Sequence, residues 1–183
     1  ETALALDNAV RQGKALYVGV SNYDRKSTEE ILKIFRELKT PFVINQPSYS
    51  MLNRWVESDG LKDFAADNGT GLAVFSPLYQ GFLTDRYLNG VPADSRIGKG
   101  NTWIASELAD KMLARRTALN DLATSRGQKL SPRARSWLLR DGKVTTVLIG
   151  ASRPSQIEEN VEAAYKTQFT EEELNRIQAV LND

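Results

Sequence analysis

Apolar positions along the chain alternate between short continuous runs and stretches with helical spacing. Four runs predict buried strands at residues 15–20, 41–45, 71–75 and 145–149. Apolar positions at helical spacing predict helices near 2–12, 26–39, 59–68, 108–126, 131–141, 153–164 and 171–181. Because buried strands separated by helices form parallel sheets, the pattern predicts an α/β fold with four β/α units.

One segment interrupts this alternation. Residues 76–107 show little periodicity and contain several Gly and Pro residues, and they exceed the usual loop length. Such a loop in a compact domain is typically either a lid that covers a ligand or a disordered segment. The rest of the chain shows no sharp boundary, so we expect residues 1–183 to form a single segment. Since residues 1–10 begin inside a helical pattern without a methionine, we expect that segment to be the later part of a longer protein.

Charge and composition exclude several functions. With 24 Lys and Arg against 23 Asp and Glu, the formal net charge is +1, which argues against a nucleic-acid partner or an anionic membrane. No apolar run is long enough for membrane insertion. The sequence has no Cys, which favours a reducing, cytoplasmic location. It also has no His, which removes the commonest acid–base residue and the commonest metal ligand. We therefore expect no metal.

All four predicted strands end in polar or turn-forming residues, and parallel α/β folds bind ligands at the carboxyl ends of their strands. Ser21, Asn22 and Gln46 carry neutral donors and acceptors that suit a planar carboxamide. Phe75 offers a ring for stacking, although a core aromatic at a strand end fits equally well. These positions predict a binding edge for a polar, partly aromatic ligand.

The fourth strand leads into Gly150-Ala-Ser-Arg153, where a helix is expected to open at Ser152. Free N–H groups at the helix start, the Ser152 hydroxyl and the Arg153 guanidinium would favour a phosphate. An ordinary capped helix facing solvent is the alternative. In the long loop, Arg86 and Arg96 could clamp a diphosphate or could be solvated surface charges.

Four ordered motifs resemble those of the aldo-keto reductases: Gly19-Val-Ser-Asn22, Asn45-Gln-Pro-Ser48, Phe75-Ser-Pro-Leu-Tyr-Gln-Gly-Phe-Leu-Thr84 and Ile149-Gly-Ala-Ser-Arg-Pro-Ser-Gln-Ile-Glu-Glu-Asn160. The segments 46–54 and 86–90 are similar to the branch that contains L-glyceraldehyde 3-phosphate reductases and potassium-channel β subunits. The resemblance implies strands 5–8, with their helices, of a (β/α)8 TIM barrel. It also implies NADPH as cofactor and a small carbonyl substrate.

The resemblance assigns a part of the cofactor to each motif. It places the nicotinamide carboxamide on Ser21, Asn22 and Gln46, and its ring on Phe75. It places the diphosphate on residues that follow the third strand: Ser76, Pro77, Leu78, Gly81, Leu83, Arg86 and Arg96. It places the adenosine 2′-phosphate region on residues that follow the fourth strand: Gly150, Ser152 and Arg153. Gln156, Glu159 and Asn160 would contact the adenine end.

Three residues depart from the family pattern. Phe75 stands where Tyr or Trp is common, Arg86 where Lys is common, and Asp85 where Gly is common, so Asp85 puts a carboxylate beside the expected diphosphate. The catalytic Asp, Tyr, Lys and His of the family lie in the first half of the barrel, so no catalytic residue is assigned in this chain.

The resemblance leaves three interpretations. The first is an NADPH-dependent reductase that transfers hydride to an aldehyde or ketone, of which this segment alone is inactive. The second is a non-catalytic, NADPH-binding regulatory subunit of the channel β-subunit type. The third is a self-sufficient half-barrel, whose unpaired strand edges would favour a homo-oligomer.

Overall fold

The chain divides into two compact units. The computed structural model describes residues 1–87, 90–95, 98–100 and 106–182. The first unit comprises Glu1–Tyr49, Arg54–Phe75 and Asp141–Leu148. The second comprises Ser50–Asn53, Ser76–Arg140 and Ile149–Asp183.

The first unit contains a four-stranded parallel sheet in the order β1-β2-β3-β4. The parallel α/β fold predicted from the sequence is therefore confirmed. Its strands are β1 (Val18–Ser21), β2 (Phe42–Gln46), β3 (Gly71–Val74) and β4 (Thr146–Val147). Its helices are α1 (Thr2–Arg11), α2 (Arg25–Leu38), α3 (Trp55–Ser58) and α4 (Leu61–Asp67).

A hydrophobic cluster joins α1 and α2 to the sheet. Ala3 of α1, Val18 of β1, and Ile31 and Phe35 of α2 are buried together. Phe35 stacks on Phe42 with ring centroids 5.3 Å apart, which anchors α2 against the start of β2. The amphipathic spacing of α2 therefore buries one face of the helix, but Ile34, which the apolar pattern also placed in the buried stripe, is 42% exposed.

The expectation that all four strands are buried is wrong. Only β3 is almost wholly buried, whereas β1, β2 and β4 alternate or remain exposed. Val43 is 41% exposed and Leu148 is 40% exposed, although both belong to apolar runs. A continuous apolar run shows that its residues are hydrophobic, but it does not show whether another part of the fold packs on them. The fourth strand is also shorter than predicted.

The second unit consists of helices and the segment 76–87, which contains two short 3-10 turns, Tyr79–Gly81 and Asp85–Tyr87. Tyr79, Phe82 and Met112 form its buried cluster, and Phe82 stacks on Tyr87 at 4.9 Å. The helices are α5 (Ser106–Thr124), α6 (Leu130–Leu138), α7 (Pro154–Tyr165) and α8 (Glu171–Asn182).

A buried hydrogen bond joins two of these helices. The Ser136 hydroxyl on α6 donates to the Ala163 carbonyl on α7 at 2.8 Å. Since α7 is fixed in this way on α6, side chains from the start of both helices can line one cavity.

Candidate functional site

The ends of β1 and β2 bring three of the predicted residues together within the first unit. Ser21 is in register with Gln46, and its hydroxyl donates to the Gln46 carbonyl at 2.9 Å. The Asn22 N–H donates to the same carbonyl at 3.1 Å, and the Asn22 side-chain oxygen accepts from the Ser48 N–H at 3.1 Å. Asn22 adopts a positive φ of 56°, which asparagine tolerates better than most residues. A hydroxyl and two amides therefore lie at one sheet edge.

Phe75 follows β3 directly and lies beside the chain that leaves β2. Its N–H donates to the Pro47 carbonyl at 3.1 Å, and its carbonyl accepts from the Tyr49 N–H at 3.1 Å. The side chain is half-buried. These two hydrogen bonds extend the parallel pairing beyond the strand and fix the backbone that carries the ring.

A cavity of about 640 Å³ lies in the second unit, between the segment that follows Ser76 and the start of α7. Eight predicted cofactor residues line it: Leu78, Gly81, Arg86, Gly150, Ser152, Arg153, Gln156 and Glu159. A further cavity of about 300 Å³ is lined by Ser76, Pro77, Leu78, Gln80, Gly81, Arg135, Ile149 and Gly150. Because four residues line both cavities, the two adjoin.

The larger cavity, which we call the cationic cavity, carries an excess of positive charge. Its lining includes four cations (Arg86, Lys129, Arg135 and Arg153) and two carboxylates (Asp85 and Glu159). This balance suits a ligand that carries several phosphate charges. Phosphate binding at the end of the fourth strand stays a prediction from the sequence.

Two of these cations already contact carboxylates. Lys129 pairs with Glu159 at 2.6 Å, and this hydrogen bond raises the pKa of the Lys129 ammonium. Arg86 pairs with Asp94 at 2.5 Å, which lowers the pKa of the Asp94 carboxyl. A phosphate that binds either cation must therefore compete with, or share, an existing carboxylate partner.

The start of α7 differs from the prediction. The helix begins at Pro154 with Arg153 as its N-cap residue, and not at Ser152. Gln156 bends back so that its side-chain oxygen accepts from the N–H groups of Ser152 (2.8 Å) and Arg153 (3.2 Å). It also accepts from the Ser152 hydroxyl at 3.2 Å. A phosphate would reach these donors only if the Gln156 amide moved away.

The remaining predicted residues lie elsewhere. Leu83 is fully buried and belongs to the core of the second unit, because its neighbours Phe82 and Tyr87 pack there. Both amide atoms of Asn160 on α7 are buried and lack a hydrogen-bond partner within the described part of the chain. Arg96 lies outside the described residues.

Six residues that line the cationic cavity were not among the predicted site residues: Thr84, Asp85, Lys129, Ser131, Arg135 and Ser155. Three of them lie on or beside α6, where the sequence suggested only a capped helix: Lys129 is its N-cap residue, and Ser131 and Arg135 lie in its first two turns. A signal was present, since Ser131 and Arg135 are four residues apart and therefore share a helix face. That spacing could not reveal that the face lines the same cavity as the start of α7.

Within the described ranges, no group of three or more Asp, Glu, His or Cys residues could hold a metal ion. None of the described helices is both long enough and apolar enough to cross a membrane.

The fold and the motifs define a family. The sequence profile of the Aldo/keto reductase family matches residues 1–182, and the chain belongs to this family. It is 47% identical to the L-glyceraldehyde 3-phosphate reductase of Escherichia coli K12 over 188 residues, covering 100% of this chain and 54% of that protein. It is 32% identical to a putative voltage-gated potassium channel subunit β of Schizosaccharomyces pombe, covering 100% of this chain and 55% of that protein. The predicted family and branch are confirmed.

Solved structures of other proteins match nearly all of this chain over about half of their own length. The glycerol dehydrogenase of Gluconobacter oxydans matches with a TM-score of 0.77 and 27% identity, covering 99% of this chain and 53% of that one. A thermostable aldo-keto reductase in complex with the inhibitor epalrestat matches with a TM-score of 0.69 and 26% identity, covering 98% and 54%. The chain spans about half the length of the relatives it matches.

Proposed function

We propose that this chain supplies the NADPH-binding part of an aldo-keto reductase and that the complete protein reduces an aldehyde or ketone. The cationic cavity is the observation that carries the proposal, because eight residues expected to bind cofactor line it with an excess of positive charge. A bound nicotinamide cofactor supplies the hydride for such a reduction. The name of the Escherichia coli relative favours a small phosphorylated aldehyde as the class of substrate.

The first unit is proposed to hold the nicotinamide. The amide groups of Asn22 and Gln46 and the Ser21 hydroxyl lie at adjoining strand ends, where donors and acceptors can pair with a carboxamide. The half-buried Phe75 offers the apolar face on which the nicotinamide ring stacks. The hydrogen bonds to Pro47 and Tyr49 hold that face in place.

The second unit is proposed to hold the phosphates and the adenine end. Arg153 is exposed at the start of α7 and presents a permanently charged guanidinium to a 2′-phosphate. Ser76, Pro77, Leu78, Gly81, Arg86 and Arg96 are proposed to bind the diphosphate, Gly150 and Ser152 the 2′-phosphate region, and Gln156, Glu159 and Asn160 the adenine end. Leu83 is left out of the proposed site, because its side chain is fully buried. Asn160 directly follows Glu159, which lines the cationic cavity, and this position is the basis for placing it at the adenine end.

We assign no catalytic residue to this chain. The proton donor of the reaction is proposed to lie in the other half of the barrel of a longer, cytoplasmic protein. The 183-residue chain is therefore expected to bind NADPH without reducing aldehydes on its own. An NADPH-consumption assay beside a fluorescence titration of NADPH tests this directly, and turnover by the chain alone would contradict it.

The choice of NADPH over NADH is tested at Arg153. Loss of one or more charge-assisted hydrogen bonds costs about 1.5–3 kcal/mol, which corresponds to a Kd about 10- to 150-fold higher. We expect Arg153→Ala to weaken NADPH by such a factor and NADH by less than about threefold, as measured by fluorescence titration. Equal losses for the two nucleotides would remove Arg153 from the 2′-phosphate site. A wild-type chain that binds neither nucleotide would refute the proposed function.

The similarity to the Schizosaccharomyces pombe channel subunit favours a second candidate, a regulatory subunit that binds NADPH without turnover. Both candidates use the same cofactor residues. Steady-state reduction of aldehydes by the complete protein separates them. Tight NADPH binding without reduction of any aldehyde tested would favour the regulatory subunit.

A further inference from the structure

Arg135 occupies the place where the two cavities of the second unit meet. It lines the cationic cavity together with Arg153 at the start of α7. It also lines the smaller cavity together with Ser76, which directly follows Phe75 in sequence. Both cavities belong to the second unit, so Arg135 borders the residues proposed for the 2′-phosphate and also Ser76, which is proposed for the diphosphate.

The surroundings of Arg135 leave its charge incompletely satisfied. Its Nε is buried and has no hydrogen-bond partner among the described residues. Its Nη1 donates to the Ser131 hydroxyl over a long distance of 3.5 Å. Burial lowers the pKa of the guanidinium, and the charge of Glu159 only partly opposes this. Lys129 and Arg86, by contrast, each contact a carboxylate.

We propose that Arg135 binds the diphosphate of the dinucleotide, an inference that rests on the proposed function. The diphosphate is the middle of the molecule, and Arg135 is a cation that both cavities share. A guanidinium can donate two parallel hydrogen bonds to phosphate oxygens, and it remains charged when half-buried. Neither the sequence motifs nor the family resemblance assigned a role to this residue.

This role makes opposite predictions for stability and binding. A half-buried cation without an adequate partner destabilises the protein in the absence of ligand. Its replacement by an apolar side chain of similar size should therefore leave the free energy of unfolding almost unchanged or raise it. The same replacement removes the hydrogen bonds to the diphosphate. A residue with only a structural role would instead lower stability when replaced.

The experiment compares Arg135→Met and Arg135→Gln with the wild-type 183-residue chain. We expect both variants to weaken NADPH and NADH by the same factor, about 10- to 100-fold, because the two nucleotides share the diphosphate. We expect the unfolding temperature of ligand-free Arg135→Met to equal or exceed that of the wild type. Arg140→Gln is the matched control, since it removes a guanidinium just beyond the end of α6 that lines neither cavity.

Three results would overturn the role of Arg135 while leaving the proposed function intact. The first is wild-type affinity of both variants for both nucleotides. The second is a loss confined to NADPH, which would move Arg135 to the 2′-phosphate. The third is a lower ligand-free unfolding temperature in both variants together with an equal loss of affinity in Arg140→Gln. Failure of the wild-type chain to bind either nucleotide would refute the proposed function itself.

Discussion

Replacement of Arg116 by methionine tests what holds the segment that carries many of the proposed diphosphate residues. Arg116 lies on α5 and is 1% exposed. Its Nε donates to the Phe82 carbonyl at 3.2 Å, and its Nη2 donates to the Thr84 carbonyl at 3.0 Å. Burial lowers the pKa of this guanidinium, and the charge of Asp85 opposes that shift. Arg116 thus fastens the end of this segment to a long helix.

The expected magnitude follows from these two hydrogen bonds. Methionine fills a similar volume but leaves two carbonyls without their charged donor, at about 1–3 kcal/mol each. Because methionine carries no charge, the cost of burying the Arg116 guanidinium is removed, and this offsets part of that loss. We expect the free energy of unfolding to fall by about 2–4 kcal/mol, which lowers the unfolding temperature by roughly 5–12 °C for a protein of this size.

Urea-induced unfolding, followed by circular dichroism, measures the change. Arg115→Met is the matched control, because residue 115 precedes Arg116 by one position and so faces about 100° away around the helix. We expect less than about 0.5 kcal/mol from that control. If Arg116→Met retained wild-type stability, the two carbonyl hydrogen bonds would not hold the segment, and the reasoning would be refuted.

Two further perturbations concern the first unit. Arg11 and Thr40 donate hydrogen bonds to the Asp7 carboxylate and lower its pKa. The stability that these hydrogen bonds contribute is therefore fully present above the pKa of an unfolded Asp, about 4, and is lost as the pH falls through the pKa of Asp7 in the folded protein. We expect Asp7→Asn to lower the unfolding temperature at pH 7 and to differ less from wild type at pH 3. A Cβ added at Gly19 would lie 2.8 Å from the Ile44 carbonyl oxygen, so Gly19→Ala should cost about 1–3 kcal/mol in a urea titration.

Each of these perturbations has an outcome that would contradict it. For Asp7→Asn, a difference from wild type that stays constant between pH 7 and pH 3 would show that the carboxylate charge contributes nothing to stability. For Gly19→Ala, the control is Gly150→Ala, because nothing lies within 4 Å of a Cβ added at Gly150. Equal stability of these two alanine variants would show that β1 and β2 can separate freely at this point.

The sequence by itself determined the order of strands and helices and the polar residues at the strand ends. Both follow from local rules, since apolar spacing selects the element and a strand end needs turn-forming residues. The adjacency of Ser21 and Gln46 was predictable for this reason, because parallel neighbours present their carboxyl ends at the same edge. The motifs also identified the family, which the profile match over residues 1–182 confirms.

Only the tertiary structure decided which side chains the second unit brings together. Arg135 and Arg153 are 18 positions apart in sequence, and no local pattern states that they line one cavity. The same holds for Arg116, which reads as an ordinary helix cation until its contacts with the Phe82 and Thr84 carbonyls are known. Whether a cation is solvated, paired or left for a ligand depends on contacts between distant segments, and hydrophobic spacing carries no information about those contacts.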